Sequence, residues 1–385
     1  MDVFGATIFG EMSELAASTD SINLGQGFPD EDGPAELLAA AQAAIAAGRG
    51  NQYPPSRGVG ELRRAIASHQ RDFYGLDVDP DDGVLVTVGA TEAIAAAVLG
   101  LTQPGDGMLT FEPYYDSYAA CAVLAGAHRA VVTLRPQDGR WTFDPDELRA
   151  AVTSRTRLVL LNSPHNPTGK VFTAPELRLI AELAVEHDLT VVTDEVYEHL
   201  VFDGEHIPIA TLPGMAGRTV TISSAGKTFS VTGWKVGWAS GPAELIRRIA
   251  GVKQFLTYVG SGPFQYAVAD GLATVGEHAA RLTAQLRAKR DLLVTGLAAS
   301  GFEVLSPQAT YFATVDLGHG AEAWCRALPA TAGVAGIPTR VFYDSHVDRY
   351  VRLAFCKRAD VIEEAVRRLS GTVAPAARAG LGAPS

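Results

Sequence analysis

The segments TVVTDEVYEHL (Thr190–Leu200) and TVTISSAGKTF (Thr219–Phe229) decide the fold. Each begins with a short β-branched run, which is typical of a buried strand, and continues into a loop with polar side chains. An amphipathic pattern of helix length at Ala174–His187 precedes the first segment. Strands that alternate with crossover helices indicate a mostly parallel sheet that is covered on both faces.

The same alternation extends from this stretch in both directions. Seven strands are predicted: Val84–Val88, Met108–Phe111, Ala130–Leu134, Arg157–Leu161, Thr190–Thr193, Thr219–Ser223 and Val236–Ala239. The helical patterns include Thr91–Leu101, Asp116–Gly126, Pro145–Ala151 and Ala174–His187. The pattern predicts a large doubly wound α/β domain around a seven-stranded sheet.

The alternation of strands and helices stops after about residue 262, where one long helix is predicted from Pro263 to about Ser300. The strands predicted beyond it are Phe302–Leu305, Tyr311–Val315 and Tyr350–Phe355, with helices near Ala321–Leu328 and Asp360–Leu369. This order is typical of a smaller α+β domain. The domain prediction is an N-terminal arm at 1–35 that contributes to the small domain, a large cofactor-binding domain at 36–275, a small domain at 276–371 and a flexible tail at 372–385.

Composition excludes several classes of protein. Hydrophobic residues make up 47% of the 385 residues, which favours a compact chain over a disordered one. The net charge of −11 argues against a nucleic-acid partner. The three cysteines are far apart in the sequence, so no disulfide framework is expected. With no signal-peptide pattern and no membrane span in the sequence, a cytoplasmic protein without a membrane partner is predicted.

Polar loops follow four of the predicted strands. They are Gly89–Glu92, Asn162–Gly169, Asp194–Tyr197 and Ser224–Phe229. Because ligands bind at the carboxyl ends of parallel strands, these loops are expected to meet around one ligand. They supply a helix N-terminus, an amide, a carboxylate with a phenol, and a lysine. This set predicts a phosphorylated cofactor.

Pyridoxal 5′-phosphate fits the chemistry of the set. A lysine such as Lys227 forms a Schiff base with its aldehyde, and an acid such as Asp194 pairs with its pyridinium nitrogen. Asn166 and Tyr197 can donate hydrogen bonds to its ring oxygen. An aromatic side chain from Tyr114–Tyr115 can stack on its ring. The candidates for its phosphate are Gly89, Ala90, Thr91, Ser224 and Lys235.

Several blocks carry a resemblance to a known family. They are Asn23–Asp30, Asn51–Tyr53, Asn162–Gly169, Asp194–Tyr197, Ser223–Phe229, Gly233–Trp238 and Arg352–Phe355. In this order and spacing the chain resembles a class I, fold-type I pyridoxal-phosphate-dependent aminotransferase over nearly its whole length. The likeness implies an aspartate-aminotransferase-like fold. It is strongest to the branch of kynurenine–glutamine and N-succinyldiaminopimelate aminotransferases.

The resemblance implies roles for individual residues. Lys227, Asp194 and Tyr197 form the expected catalytic set, and Tyr115 is the expected stacking aromatic. Tyr53 resembles a tyrosine that reaches the phosphate of a neighbouring subunit, which implies a homodimer with shared active sites. Lys235 stands where many relatives carry an arginine. The residues implied for substrate binding are Gly27, Asn166 and Arg352, with Arg352 as the clamp on the α-carboxylate.

The resemblance also bears on the substrates, which are expected to be an amino acid and a 2-oxo acid. The segment Tyr258–Gly262, where distal-pocket residues are expected together with Phe9 and Phe28, contains no arginine. A pocket restricted to dicarboxylates is therefore not favoured. The expected donors are of the glutamine, methionine, aromatic or N-succinyldiaminopimelate type.

Other functions remain open at this point. A carbon–sulfur β-lyase would use the same lysine, so the sequence separates it poorly from an aminotransferase. A cofactor-binding regulator would need a DNA-binding domain ahead of the similar region, and a nicotinamide-dependent oxidoreductase would need a glycine fingerprint that is absent. The spacing of His199 and His206 fits no common zinc pattern, so no metal is predicted.

Overall fold

A computed structural model describes residue 5 and residues 7–372. Apart from Thr372, the predicted tail lies outside the described residues. Among the helices in the described part of the chain, none has the length and apolar character needed to cross a bilayer. The domain boundaries given above stay a prediction.

The N-terminal segment packs against the C-terminal part of the chain. Helix α1 (Ile8–Ser18) begins after Thr7, whose hydroxyl accepts a hydrogen bond from a first-turn backbone N–H. Its buried residues recur every fourth position and join the same apolar cluster as Val315 and Leu353. The short strand β1 (Ile22–Asn23) then pairs in parallel with residues 334–335.

The middle of the chain alternates helices and strands. The helices are α2 (Ala35–Ala46), α3 (Gly60–Tyr74), α4 (Gly89–Leu101), α5 (Ser117–Ala125), α6 (Pro145–Ala151), α7 (Ala174–Glu186), α8 (Ala225–Thr228), α9 (Ala243–Leu256) and α10 (Gly262–Leu272). The strands are β2 (Val84–Val88), β3 (Gly107–Glu112), β4 (His128–Thr133), β5 (Arg135–Gln137), β6 (Arg140–Thr142), β7 (Thr156–Asn162), β8 (Thr190–Asp194), β9 (Thr219–Ser224) and β10 (Val236–Ser240).

Seven of these strands form one sheet in the order β2-β10-β9-β8-β7-β3-β4. Strand β10 runs antiparallel to both of its neighbours, and the other six strands are parallel to one another. The predicted mostly parallel, seven-stranded sheet is confirmed. Strands β5 and β6 form a separate hairpin.

Burial on both faces of the sheet explains why its strands read as continuous apolar runs. In β7, Leu158 and Leu160 join a cluster with α4, α5 and α9. Their neighbours Val159 and Leu161 point to the other face and pack with residues of α6 and α7. Because both faces are covered by helices, this strand is apolar on both sides from Leu158 to Leu161, and Asn162 is the polar residue at its end.

The prediction of one long helix from Pro263 to Ser300 is wrong. The structure divides this stretch into α10 and α11 (Val275–Ala299), with Ala273 and Thr274 between them. The two helices bury their apolar faces against different partners. Helix α10 packs on α2 and α3, whereas α11 contributes Leu286 and Leu293 to the cluster around the C-terminal sheet. A straight helix could not reach both surfaces.

The remaining elements build the smaller sheet and its helices. The strands are β11 (Glu303–Leu305), β12 (Phe312–Asp316), β13 (Val334–Ala335), β14 (Ile337–Pro338) and β15 (Tyr350–Ala354), and the helices are α12 (Ala321–Ala332) and α13 (Ala359–Leu369). The antiparallel sheet has the order β11-β12-β15-β14. Its central strand β15 carries Arg352.

The topology brings the polar loops together. Because β2, β7, β8 and β9 run in the same direction, the loops that follow them meet at one edge of the large sheet. Helix α1 and strands β12 and β15 approach this edge from the other side. A cavity forms between the two parts of the chain.

Candidate active site

The cavity at this edge has a volume of about 590 Å³. All but one of the residues predicted to contact the cofactor or the α-carboxylate of the substrate line it: Gly27, Gly89, Ala90, Thr91, Tyr115, Asn166, Asp194, Tyr197, Ser224, Lys227, Lys235 and Arg352. The exception is Tyr53. The structure therefore brings together residues that are far apart in the sequence and places them around one space.

Lys227 lies on α8, a single helical turn that follows β9. Its Nζ donates a hydrogen bond to the hydroxyl of Tyr311 over 2.8 Å, and that hydroxyl donates to the backbone oxygen of Gly27 over 2.7 Å. Burial lowers the pKa of the lysine to about 8. A larger fraction of the amine is therefore uncharged near neutral pH than for an exposed lysine, and an uncharged amine can act as a nucleophile or a base.

Asp194 ends strand β8 and is 5% exposed. The hydroxyl of Tyr118 donates to its Oδ2 over 2.7 Å, and the backbone N–H of Val196 donates to its Oδ1 over 3.3 Å. Burial nevertheless raises the pKa of the carboxyl to about 6. The site thus holds a carboxylate that a cationic partner in the cavity would stabilise.

Arg352 is a buried cation whose hydrogen-bond acceptors are neutral. Its Nη1 donates to Oδ1 of Asn166 over 3.1 Å and its Nη2 to the oxygen of Gly25 over 2.7 Å. Its Nε is buried without a partner among the described residues. The guanidinium lies 4.1 Å from the ring centroid of Phe312, and burial lowers its pKa to about 10. An anion that enters the cavity would supply the charge and the acceptors that this group lacks.

The start of α4 and the start of β10 form a narrow cradle. Gly89 has a φ of +72°, and a Cβ at this position would lie 3.1 Å from Nζ of Lys235. A Cβ at Gly237 would lie 2.4 Å from the carbonyl carbon of Gly89. Because neither glycine has a side chain, the N-terminus of α4 and the amine of Lys235 lie close together at the wall of the cavity. Ala90, Thr91 and Ser224 border the same cavity.

Two adjacent tyrosines are separated by the fold. Tyr114 is 3% exposed, and its hydroxyl donates to Asp344 over 2.5 Å, away from the cavity. Tyr115 lines the cavity, and its ring meets that of Tyr118 edge to face with 5.8 Å between the centroids. Of the two, Tyr115 is therefore the one placed to stack on a ligand.

Two asparagines hold the loop after β7 in place. Asn162 donates through Nδ2 to the backbone oxygen of Asp194 over 2.8 Å, which ties the end of β7 to the end of β8. Its Oδ1 accepts from the backbone N–H of Asn166 over 2.7 Å. Asn166 thereby reaches the cavity beside Arg352, and Tyr197 approaches from the neighbouring strand exit.

Parts of the predicted site lie elsewhere on this chain. Tyr53 is 81% exposed, and its ring meets that of Tyr258 with 5.6 Å between the centroids. Neither tyrosine lines the cavity. Phe28 also lies outside it and packs 4.2 Å from the amine of Lys357. Of the expected distal residues named above, Phe9 is on the cavity wall.

The sequence reasoning missed Tyr118 and Tyr311, the direct hydrogen-bond partners of Asp194 and Lys227. Tyr118 lies one helical turn after Tyr115 in the predicted helix Asp116–Gly126, and this position offered a weak signal. Tyr311 precedes a strand of the smaller sheet, and no local pattern connects it with Lys227. Thr232 and Gln26 also line the cavity and were not predicted.

The residues present fit pyridoxal 5′-phosphate. Burial raises the pKa of the Asp194 carboxyl, and a pyridinium nitrogen would provide a cationic partner that stabilises its charged form. The cradle of Gly89 and Lys235 offers a helix N-terminus and an amine to a phosphate. Lys227 supplies an amine with a lowered pKa between these two ends.

Comparisons with known proteins agree with this chemistry. The family described as aminotransferase class I and II matches residues 19–369. The chain is 53% identical to the probable N-succinyldiaminopimelate aminotransferase of Mycobacterium tuberculosis, over 95% of this chain and 96% of that one. It is 40% identical to the methionine aminotransferase of Escherichia coli K12, over 95% of each chain.

Solved structures show the same fold. The structure of the N-succinyldiaminopimelate aminotransferase from Mycobacterium tuberculosis superposes with a TM-score of 0.93 at 55% identity, over 95% of this chain and 97% of that one. The aspartate aminotransferase from Thermus thermophilus with maleate superposes with a TM-score of 0.88 at 31% identity, over 95% of this chain and 96% of that one. The predicted aspartate-aminotransferase-like architecture is confirmed.

Proposed function

Because this chain belongs to the class I and II aminotransferase family, whose members use pyridoxal phosphate, we propose that it binds that cofactor in the cavity and accepts long amino donors. The chain is an aminotransferase, and its predicted family is confirmed. The proposed donor is N-succinyldiaminopimelate or a comparably long amino acid, and a 2-oxo acid is the acceptor. The arrangement of Lys227, Asp194 and Arg352 around one cavity carries the proposal.

In this proposal different residues contact each part of the cofactor. Asp194 faces the pyridinium nitrogen, Asn166 and Tyr197 face the ring oxygen, and Tyr115 stacks on the ring. The phosphate lies in the cradle of Gly89, Ala90, Thr91, Ser224 and Lys235. When bound, the cofactor supplies an aldehyde that condenses with amines and a ring that delocalises the electrons released at Cα.

The chain itself moves the proton. The amine of Lys227 would act as the general base that takes the proton from Cα of the substrate, and its ammonium form would act as the general acid that gives this proton to the aldehyde-derived carbon of the cofactor. The hydroxyl of Tyr311 holds that amine within the cavity, 2.8 Å from its oxygen. Asp194 keeps a positive charge on the ring nitrogen, which stabilises negative charge that develops in the transition state.

Arg352 positions the substrate. Its guanidinium is buried with Nε unpartnered, so a bidentate carboxylate adds both charge compensation and a missing hydrogen-bond acceptor. Asn166 already contacts this arginine and fixes its orientation. The α-carboxylate of an amino acid is the proposed ligand.

The rest of the cavity supports a long donor. Apart from Arg352 and the two lysines of the cofactor site, the described lining residues carry no cation, and they include the neutral side chains of Phe9, Gln26 and Thr7. A short dicarboxylate would leave its second charge without a partner there. A longer chain carries its distal polar groups to the cavity mouth. The 53% identity to the mycobacterial relative favours N-succinyldiaminopimelate among such donors.

A panel of amino donors, each measured with the same 2-oxo acid as acceptor, tests this proposal. We expect kcat/KM for N-succinyldiaminopimelate to exceed that for aspartate by at least about 10-fold, because an unpaired buried charge costs several kcal/mol and about 1.4 kcal/mol already corresponds to a factor of ten. The kcat/KM values for methionine, glutamine and kynurenine are expected to lie between those for N-succinyldiaminopimelate and aspartate. Measuring pyruvate and ammonia release from a cysteine conjugate in parallel separates β-elimination from transfer. A preference for aspartate over all other donors would contradict the proposed pocket.

We also propose that the active enzyme is a homodimer, as aminotransferases generally are. Apolar and aromatic side chains are exposed on one part of the surface: Tyr53 at 81%, Phe255 at 90%, Leu256 at 47% and Tyr258 at 41%. Neighbouring exposed side chains of this kind favour a protein interface. Tyr53 would then extend from this surface to the phosphate in the partner subunit.

Light scattering is expected to give twice the chain mass of 40.6 kDa at assay concentration. Tyr53→Phe removes one hydrogen bond to a charged phosphate and is expected to weaken cofactor affinity roughly 10-fold. Tyr258→Phe is the matched control, since its ring lies beside Tyr53 but is not assigned to the phosphate. A fully active monomer, or equal affinity in both variants, would contradict the shared site.

A further inference from the structure

Two imidazoles and a carboxylate meet at a place in the fold where none of the three lines the cavity. His69 lies on α3, and Glu198 and His199 lie in the loop that follows β8. Their ligand atoms all lie within 4.8 Å of one another. We propose that these residues bind a divalent transition metal of the zinc class and thereby connect α3 to the loop that follows Asp194.

The two histidines already point their donor atoms at each other. Nε2 of His69 lies 2.8 Å from Nε2 of His199, so a single proton is shared between two lone pairs. Tetrahedral zinc binds imidazole nitrogen at about 2.0–2.1 Å, which sets two such nitrogens about 3.3–3.4 Å apart. A metal ion can replace the shared proton if the rings separate by roughly half an ångström. His199 is only partly buried, which leaves room for this movement.

The carboxylate of Glu198 is held in place by two donors. The hydroxyl of Tyr74 donates to Oε2 over 2.7 Å, and that of Ser223 donates to Oε1 over 2.6 Å. Each carboxylate oxygen has a second lone pair, so these bonds orient the group and leave it able to bind a cation. Such outer partners are typical of metal-binding carboxylates.

Gln70 is placed to set the tautomer of His69. It is fully buried, and its Oε1 has no hydrogen-bond partner among the described residues, while its Nε2 lies 3.5 Å from Nδ1 of His69. Rotating the amide by half a turn exchanges the two atoms, and Oε1 then accepts a hydrogen bond from Nδ1–H. That bond would place the proton of His69 on Nδ1 and leave the Nε2 lone pair free for a metal.

A groove gives access to the cluster. It has a volume of about 360 Å³, and His199 lies on its wall together with Ala280, Thr283 and Arg287 of α11. The charge of Arg287 is partly offset by Asp203, whose Oδ1 lies 3.4 Å from its Nη1. Water from this groove can supply the fourth ligand of a tetrahedral site. Two histidines, one glutamate and water form a known zinc ligand set.

The experiment uses the untagged holoenzyme without amino acid. Isothermal titration calorimetry with Zn²⁺ is expected to show one equivalent bound per chain. Thermal unfolding with Zn²⁺ present is expected to show a rise in Tm of roughly 2–4 °C. His199→Gln is expected to weaken this binding at least 10-fold. His187→Gln, at a histidine whose side chain is 43% exposed, is the matched control and should bind as the wild type does.

Co²⁺ provides a second measurement that does not depend on the variant. Its d–d spectrum is expected to show tetrahedral coordination by nitrogen and oxygen, without a thiolate charge-transfer band, because no cysteine belongs to the cluster. Absence of stoichiometric binding would overturn the site. A thiolate band, or equal binding in the two histidine variants, would overturn it as well.

Discussion

Lys227→Ala is expected to lower the rate of amino transfer by several orders of magnitude while the cavity keeps its ability to hold the cofactor. General-base catalysis alone contributes roughly 10²- to 10⁴-fold. The variant also loses the amine that condenses with the aldehyde, so the two losses act together. The cradle of Gly89 and Lys235 and the carboxylate of Asp194 are not altered by this change, and they should retain the cofactor without a covalent bond.

Single-turnover kinetics measures the loss of the general base. Borohydride reduction identifies the lysine that forms the covalent bond to the cofactor. In the wild type, reduction followed by peptide mapping should place the pyridoxyl group on Lys227 and not on Lys235, which borders the same cavity. Lys289→Ala is the control, since that lysine pairs with Glu31 and does not line the cavity. A pyridoxyl group on another lysine, or substantial turnover in Lys227→Ala, would refute the assignment.

Asp194→Asn is expected to reduce kcat roughly 10- to 150-fold, which corresponds to loss of a charge-assisted hydrogen bond of about 1.5–3 kcal/mol. The amide cannot keep a positive charge on the ring nitrogen, so the transition state loses its electron acceptor. Because the pKa of Asp194 lies at about 6 in the protein without cofactor, its carboxyl becomes protonated below that pH. Cofactor affinity of the wild type should therefore fall as the pH drops through 6.

The pH profile distinguishes this role from a structural one. The cofactor affinity of Asp194→Asn should not change as the pH passes through 6, since an amide does not titrate there. Tyr118→Phe removes one donor to the same carboxylate and keeps the charge, so it should have a smaller effect on kcat. Near wild-type turnover of Asp194→Asn with normal cofactor content would show that the carboxylate is not needed.

The large sheet and most of the site could be predicted from local sequence. Within the strand Thr156–Asn162, the run Leu158–Leu161 is continuously apolar because both faces of the strand are buried there. The residue at which that run ends marks the strand exit, as at Asn162 and Asp194. Parallel order then places these exits at one edge, so chain order alone indicates which polar residues share a ligand.

Other features depend on contacts between distant segments. The residues alone left Tyr114 and Tyr115 as candidates, and only the resemblance favoured Tyr115. Asp344, which accepts a hydrogen bond from the Tyr114 hydroxyl, explains why Tyr114 lies away from the cavity. The sequence predicted one long helix across Ala273–Thr274, because both halves have helical periodicity and only their packing partners differ.

The partners of the reactive groups were decided by tertiary structure alone. Tyr311 is 84 residues from Lys227, and His69 is 130 residues from His199, yet each pair is joined by a hydrogen bond of 2.8 Å. Local patterns indicate which face of a helix or strand is buried. They do not indicate which residues of another segment pack against that face. Residue types and strand order therefore determined where the site lies. Packing between the two sheets decided which side chains surround each group and how burial shifts the pKa values of Lys227 and Asp194.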